Sequence, residues 1–329
     1  MIKKTLSLFT IIFTLTLFVF SNPASAVTLK IGVLVPEGTT WAKNLKKMAK
    51  EIKKATNKKV KIKIYFGGAQ GDEPDVLRKI RIGQLGGGVF TGKTLGDING
   101  DVRVMEVPFI FMNDRSKALK TLNSMAPYFN KSFEKNEFTN LGFFELGMVY
   151  FVSQKKTPSI DSMKGIKIWA WEGDQLVSSM ISAMNLVSVP LPLPDVLSSL
   201  STGIVEAAYA PPLGIIALQW NTKIKYLVDF PLAYATGAIL ISKKKWAKIS
   251  VENQKIVKAI SAKYIKHINA GNIKDNEDAL EAIKGLGVEF VKFQDTDIAR
   301  AKKYRDSIVK KLKGKLFSAD AWKILKSKL

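Results

Sequence analysis

The stretch from Met163 to Trp220, MKGIKIWAWEGDQLVSSMISAMNLVSVPLPLPDVLSSLSTGIVEAAYAPPLGIIALQW, decides the fold. Ile166 to Trp171 reads as a strand placed directly before a helix that starts around Asp174. Val187 to Leu191 is a second strand, leading into a helix from Asp195 to Ser201, and a third, Ile204 to Tyr209, ends on Pro211-Pro212. Strands alternating with short helices predict a parallel sheet whose carboxyl edges open into a crevice, where ligands of α/β proteins sit. This stretch delivers Trp169, Trp171, Tyr209 and Ala210 to that edge. Aromatic residues there describe a cleft that grips a ligand by its apolar surface.

Towards the amino terminus, Thr28 to Val35 runs apolar into Pro36 and suits a first buried strand. Thr39 or Thr40 can cap the helix that follows, with Leu45, Met48, Ala49 and Ile52 on its inner stripe. Val60 to Phe66 alternates as a second strand, and a helix from Asp72 to Gly83 leads to Gly86-Gly87-Gly88 and then Val89-Phe90-Thr91. Gly87 to Thr94, GGVFTGKT, fits the GxxxxGK[ST] spacing, but the three glycines read as a tight turn that lets a ligand approach the backbone rather than as a phosphate loop. Leu141 to Ser153 and Leu232 to Ser242 are long apolar strands interrupted by glycine. Ser250 to Ile283 is one long amphipathic helix, and Thr296 to Leu329 reads as two basic helices broken near Gly314.

The first 26 residues stand apart as a signal peptide: Lys3-Lys4, an apolar run from Leu6 to Phe20, and Ala24-Ser25-Ala26 before Val27. The apolar run is short for a membrane-spanning helix. The chain has no cysteine, which excludes disulfides and a lipid anchor, and the mature protein is expected in a bacterial periplasm. Removing 26 of 329 residues leaves 303, enough for two domains. The formal charge of +23 becomes +21 without Lys3 and Lys4. Its lysines are scattered through helices, as in Lys43, Lys46, Lys47, Lys50, Lys53 and Lys54, and describe a solvated basic face. Export and the lack of a recognised binding motif exclude nucleic acid as a partner.

Catalytic chemistry has little to work with. The only histidine, His267, lies inside the long helix, so thiol nucleophiles, Ser-His triads and imidazole-rich metal sites cannot be assembled. Glu172 and Asp174, at i, i+2 on a strand-to-helix turn, describe a helix cap with Asp174 as the capping residue rather than an acid–base pair. Neither an enzyme nor a cofactor nor a metal is expected.

Several motifs in order resemble the solute-binding subunits of TRAP transporters, the DctP-like family. Lys164-Gly165-Ile166-Lys167-Ile168-Trp169 is similar to that family's KGLKIR strand, Pro190 to Asp195 to its PxPxxEL turn, and Ser199 to Ala207 to its ALxxGxVDG helix end. Gly67-Gly68-Ala69-Gln70 resembles the GGQL turn, Arg81-Ile82-Gly83-Gln84-Leu85 the VxxGxL helix end, Val107-Pro108-Phe109-Ile110-Phe111 the LPFLF segment, and Ile241 to Trp246 the INKKxW segment. The resemblance implies an α/β two-lobed periplasmic binding protein fold, with a ligand cleft between lobes and a long helix spanning both. It implies a first lobe over 27-149 with part of 237-265, a second over 150-236 with part of 266-329, and hinge strands at about 141-153 and 232-242. Hinge closure around a ligand follows from that arrangement, and so do partners: TRAP membrane subunits, with an accessory periplasmic protein as a further candidate.

The departures from the family pattern point to the ligand. Where relatives usually carry a carboxylate-binding arginine after KGLKI this chain has Trp169. A second frequent arginine position falls on Val149, and Glu-Asn-Pro is replaced by Tyr209-Ala210-Pro211. If Trp169 faces the cleft, strand alternation turns Trp171 away, to core or rim. The candidate ligand-binding residues are therefore Trp41, Phe90, Thr91, Met148, Val149, Trp169, Trp171, Glu172, Tyr209, Ala210, Pro211 and Gln219, with Glu172, Thr91 and Gln219 as polar anchors. They predict a hydrophobic or amphiphilic ligand, a lipid-like molecule or an aromatic acid. Two alternatives stand beside this: a small organic carboxylate held by other residues such as Lys93, and a periplasmic scaffold or sensor domain that has lost transport.

Overall fold

The computed structural model describes residues 26–329, so the expected signal peptide lies, except for Ala26, outside the described residues. β1 (Val27–Gly32) is followed by α1 (Thr40–Ala55) and β2 (Val60–Tyr65), which pairs with β1 in parallel. Thr39 caps α1 by accepting from Ala42 N, and Trp41, Leu45, Met48 and Ile52 line its buried stripe while its lysines face water. Next come α2 (Glu73–Arg81), capped by Asp72, then β3 (Gly87–Thr91), α3 (Gly92–Ile98), a 3₁₀ turn over Gly100–Glu106, and α4 (Arg115–Lys135).

The long apolar segment becomes β4 (Phe138–Ser153). Beyond it the second lobe is built from β5 (Lys167–Ala170), α5 (Gln175–Ala183), β6 (Val187–Pro190), α6 (Val196–Thr202), β7 (Ala207–Ala210), α7 (Pro212–Ala217) and β8 (Tyr226–Val228). β9 (Ala233–Ser242) then returns to the first lobe, followed by α8 (Lys243–Trp246) and α9 (Val251–Gly285). The chain ends with β10 (Glu289–Val291), α10 (Asp295–Leu312) and α11 (Ala319–Lys326), the last two separated by a turn in which Gly314 has φ +82°.

The strand order is β2-β1-β3-β9-β4-β7-β5-β6, with β8 joining β4 to β10. β4 and β9 are antiparallel and carry the sheet from one lobe to the other. The amino-terminal part of β4 pairs with β9, and Tyr150 to Ser153 pair with β7. α9 packs on α1 in one lobe and α7 in the other. α10 packs on α5, whereas α11 returns to α4 and the 3₁₀ turn of the first lobe.

Where α9 crosses β4, three asparagines on one helix face fasten the two elements. Asn269 Oδ1 accepts from Glu145 N at 2.9 Å, Asn272 Nδ2 donates to Glu145 O at 2.6 Å, and Asn276 Nδ2 donates to Leu146 O at 2.8 Å. Asn276 Oδ1 also takes Leu213 N at the start of α7, 3.1 Å away. A β-bulge between Glu145 and Gly147 frees these backbone groups from the ladder. Gly147 has φ +121°, and a Cβ there would sit 2.8 Å from Asn276 Nδ2.

One local expectation is overturned. Gly87 and Gly88 are not in a turn; they lie in β3, the strand between β1 and β9. A Cβ at Gly87 would meet Leu240 O at 2.5 Å, and one at Gly88 the Phe90 ring. Close packing, not a ligand, requires these glycines.

Candidate functional site

The carboxyl ends of β1, β3, β5 and β7 converge on one cavity of about 220 Å³ between the lobes. The first lobe contributes the loop Leu34 to Pro36, Trp41, Glu73, Val89, Thr91, Lys93, Arg103 and Glu106. Trp169, Trp171, Asp174, Leu193, Tyr209, Ala210, Pro211, Leu213 and Trp220 come from the second. Leu146 and Val149 on β4, Ala233 to Ala235 around the start of β9, and Asn272 on α9 form its back wall. Apolar side chains dominate.

Four aromatic residues build one wall. Trp169 is 2% exposed, stacks on Tyr209 at 5.0 Å, and meets Trp171 and Trp220 edge-on at 5.2 and 5.5 Å. Its indole N–H donates to Leu191 O at 2.9 Å, which satisfies the one polar group of a buried tryptophan. β5 ends at Ala170, so alternation does not govern Trp171. Trp171 therefore shares the cavity with Trp169 instead of turning away. Its Nε1 crosses to the first lobe and donates to Asp72 Oδ2 at 3.0 Å. Leu193 N reaches the same oxygen at 3.3 Å. The lobes are thus closed in this structure, tied at the rim through the cap residue of α2.

A second tie is ionic. Arg103 Nη2 lies 3.0 Å from both Asp174 oxygens, and Arg103 Nε lies 3.2 Å from Glu106 Oε2. Asp174 caps α5 as expected, accepting from Leu176 N and Val177 N, but it does so while holding an arginine of the other lobe. Burial pulls the Arg103 guanidinium down, yet Asp174 and Glu106 outweigh it and hold the group above its ordinary value. Burial also raises Glu106, against the pull of Arg103 and of the bonds from Thr236. Glu73 is 3% exposed, and burial pushes its carboxyl up to about 8, although Thr91 N and Thr91 Oγ1 both reach it, at 2.9 and 2.8 Å. The Tyr209 hydroxyl is raised first by burial and then by Asp174, against a contact from the Trp171 backbone N–H, and Asn272 Oδ1 has no hydrogen-bond partner.

Of the twelve candidate residues, Trp41, Thr91, Val149, Trp169, Trp171, Tyr209, Ala210 and Pro211 line the cavity. Four do not. Phe90 alternates with Val89 and Thr91 on β3, so it packs into the core under Gly88. Met148 is turned into the core in the same way beside Val149. Glu172 lies beyond the end of β5, in a turn where Gly173 has φ +74°, and faces solvent. Gln219 follows the short α7 with φ +59°, a left-handed residue that ends the helix and points outward. Among the polar groups that line the cavity, Glu73, Arg103, Glu106, Asp174 and Asn272 were not singled out as ligand contacts. One signal was available for Arg103, an arginine set in the apolar run Val102 to Val107 of a lysine-rich chain.

The sequence profile of the family described as bacterial extracellular solute-binding protein, family 7 (DctP), matches residues 31–315. A protein of Haemophilus influenzae is 28% identical over 218 residues, 65% of this chain and 65% of its own length. The C4-dicarboxylate-binding periplasmic protein DctP of Rhodobacter capsulatus is 20% identical over 265 residues, 80% of this chain and 79% of its own. Among solved structures, a TRAP periplasmic solute binding protein from Desulfovibrio salexigens with bound orotic acid superposes with a TM-score of 0.84 at 24% identity, covering 92% of this chain and 97% of the other.

Proposed function

Since the chain belongs to the bacterial extracellular solute-binding proteins of family 7, we propose that it captures a largely apolar ligand between its lobes and delivers it to the membrane subunits of a TRAP-type transporter. The carrying observation is that the arginine lining the cavity, Arg103, is already held by Asp174 and Glu106. The other basic lining residue, Lys93, is paired with Asp97 at 2.7 Å. A small carboxylate entering this cavity must either pull a cation off its partner or stay unpaired. At the buried Arg103, leaving a charge without its partner costs about 2–5 kcal/mol, roughly 30-fold to several thousand-fold in affinity; the partly exposed Lys93–Asp97 pair is cheaper to break. An apolar ligand pays no such cost and gains about 25 cal/mol for each Å² of apolar surface removed from water. Trp41, Val149, Trp169, Trp171, Tyr209, Ala210 and Pro211 are the proposed contacts, with Thr91 at the polar end.

A second reading keeps the ligand a small organic acid. It is favoured by one observation: the similar Desulfovibrio structure carries orotic acid in the same fold. The two readings part in one measurement. Calorimetry of the mature protein against succinate and malate is expected to show no binding, while an extract of the purified protein analysed by native mass spectrometry is expected to yield a hydrophobic or amphiphilic molecule. Micromolar binding of either dicarboxylate would replace the first reading with the second.

A further inference from the structure

The positive charge of this chain is unevenly placed in the fold. Residues 141–235, most of the second lobe, hold six basic and seven acidic side chains, whereas residues 27–140 hold 21 basic against 11 acidic. Much of the excess gathers on one face of the first lobe, where α1 and the first half of α9 lie side by side over the sheet. Trp41, Leu45, Met48 and Ile52 turn inward from α1, and Lys43, Lys47, Lys50 and Lys54 recur at i, i+4, i+7 and i+11 on the opposite side, all exposed. None of these four forms an ion pair among the described residues; the pairs made by α1 run from Lys46 to Glu37 and from Glu51 to Lys263. α9 changes sign along its length. Val251 to His267, beside α1, carry four exposed lysines against Glu252. Ile268 to Gly285, which run on to α7 of the second lobe, carry two lysines against Asp275, Glu277, Asp278 and Glu281. General lysine enrichment would have loaded both halves alike.

We propose that this α1–α9 face of the first lobe docks on a phospholipid bilayer with anionic headgroups. The proposal goes beyond the reading of the cleft and holds whatever ligand the cleft takes; its function is to keep the protein at the surface where a ligand is handed over. The chemistry of the face selects this occupant. Val251, at the very start of α9, is the one large apolar side chain exposed on either helix among the described residues. A protein partner would bury an apolar centre, from which lysine is depleted. A fluid anionic surface needs no such centre. Ammonium groups on flexible stems pair with phosphates wherever these drift, without the fixed fork geometry that arginine supplies.

Flotation of the mature protein with two kinds of vesicle tests the proposal: phosphatidylcholine alone, and an equal mixture with phosphatidylglycerol. Binding is expected to the mixture and not to phosphatidylcholine. It should be lost at about 0.5 M NaCl, where charges are screened within about 4 Å. The combined variant Lys43→Gln, Lys47→Gln, Lys50→Gln and Lys54→Gln keeps good helix formers at exposed sites, so its melting temperature should stay with the parent. At about fivefold for each lysine near the surface, it is expected to bind the mixed vesicles about 100-fold or more weakly. Lys302→Gln, Lys303→Gln, Lys310→Gln and Lys311→Gln together remove the same charge from exposed positions of α10, which packs on the second lobe. That variant is expected to lose less than about tenfold. Equal losses in the two variants would show that net charge binds the vesicles and not this face, and would overturn the assignment. Equal binding to both kinds of vesicle, or to neither, would overturn it as well. Capture of polyglutamate by a protein that ignores both vesicles would give the face to an acidic protein instead.

Discussion

Glu73→Gln should uncouple the stability of this protein from pH in a defined window. Glu73 sits in the first turn of α2, is 3% exposed, and its carboxyl is raised from 4.5 to about 8, chiefly by burial. Because the folded form holds the proton more tightly than the unfolded chain, the sign of the linkage is fixed. The stabilisation is whole below about pH 4.5, drains as pH rises towards 8, and is gone above that. At about 1.4 kcal/mol per pH unit, the gap between 4.5 and about 8 corresponds to about 5 kcal/mol. Glutamine keeps the neutral form at every pH: its oxygen can accept from Thr91 N while its amide donates to Thr91 Oγ1, reversing one bond. Other buried carboxyls, Glu106 and Glu145, titrate in both proteins, so the difference between the two curves isolates Glu73. Urea unfolding of both proteins at pH 4.5, 6, 7 and 8.5 is the assay. The variant is expected to gain on the parent steadily across the window, by up to about 5 kcal/mol at pH 8.5. Two parallel curves would mean that Glu73 is ionised in the fold, held by Thr91 and the positive end of α2, and the reasoning from burial would fail.

Arg103→Met should cost about 3–5 kcal/mol, because it leaves Asp174 and Glu106 buried without their cation; stability equal to the parent in the same urea assay would contradict the pairing. Asp72→Ala removes the cap of α2 and both rim contacts between lobes, from Trp171 and Leu193. It should enlarge the radius of gyration measured by X-ray scattering without ligand, and an unchanged curve would show that the rim contacts do not hold the lobes together. Gly147→Ala forces a side chain to φ +121° and to within 2.8 Å of Asn276. It is expected to lower the melting temperature by several degrees, about 1–3 kcal/mol, and a neutral outcome would argue that the crossing of α9 over β4 yields easily.

The elements of this protein were legible because they are local. The apolar spacing from Leu45 to Ile52, the cap at Thr39, and the β–α alternation after Ile166 each act within a few residues, and α1, β5, α5 and β7 follow them closely. The strand ends that meet at the cleft could be read for the same reason. Which neighbour on a strand faces the cavity could not: Phe90 and Thr91, or Met148 and Val149, are one residue apart, and only the packing on each face of the sheet decides between them.

The sequence by itself determined an α/β chain, a sheet edge furnished with tryptophans, and the absence of an arginine at position 169. Tertiary structure alone decided how charge is distributed around the cleft. Arg103 meets Asp174 across 71 residues and Asp72 meets Trp171 across 99. Charges pair across lobes through distance and burial, which no periodicity along a chain encodes. An arginine in the sequence is a free cation until the fold shows which carboxylates already hold it.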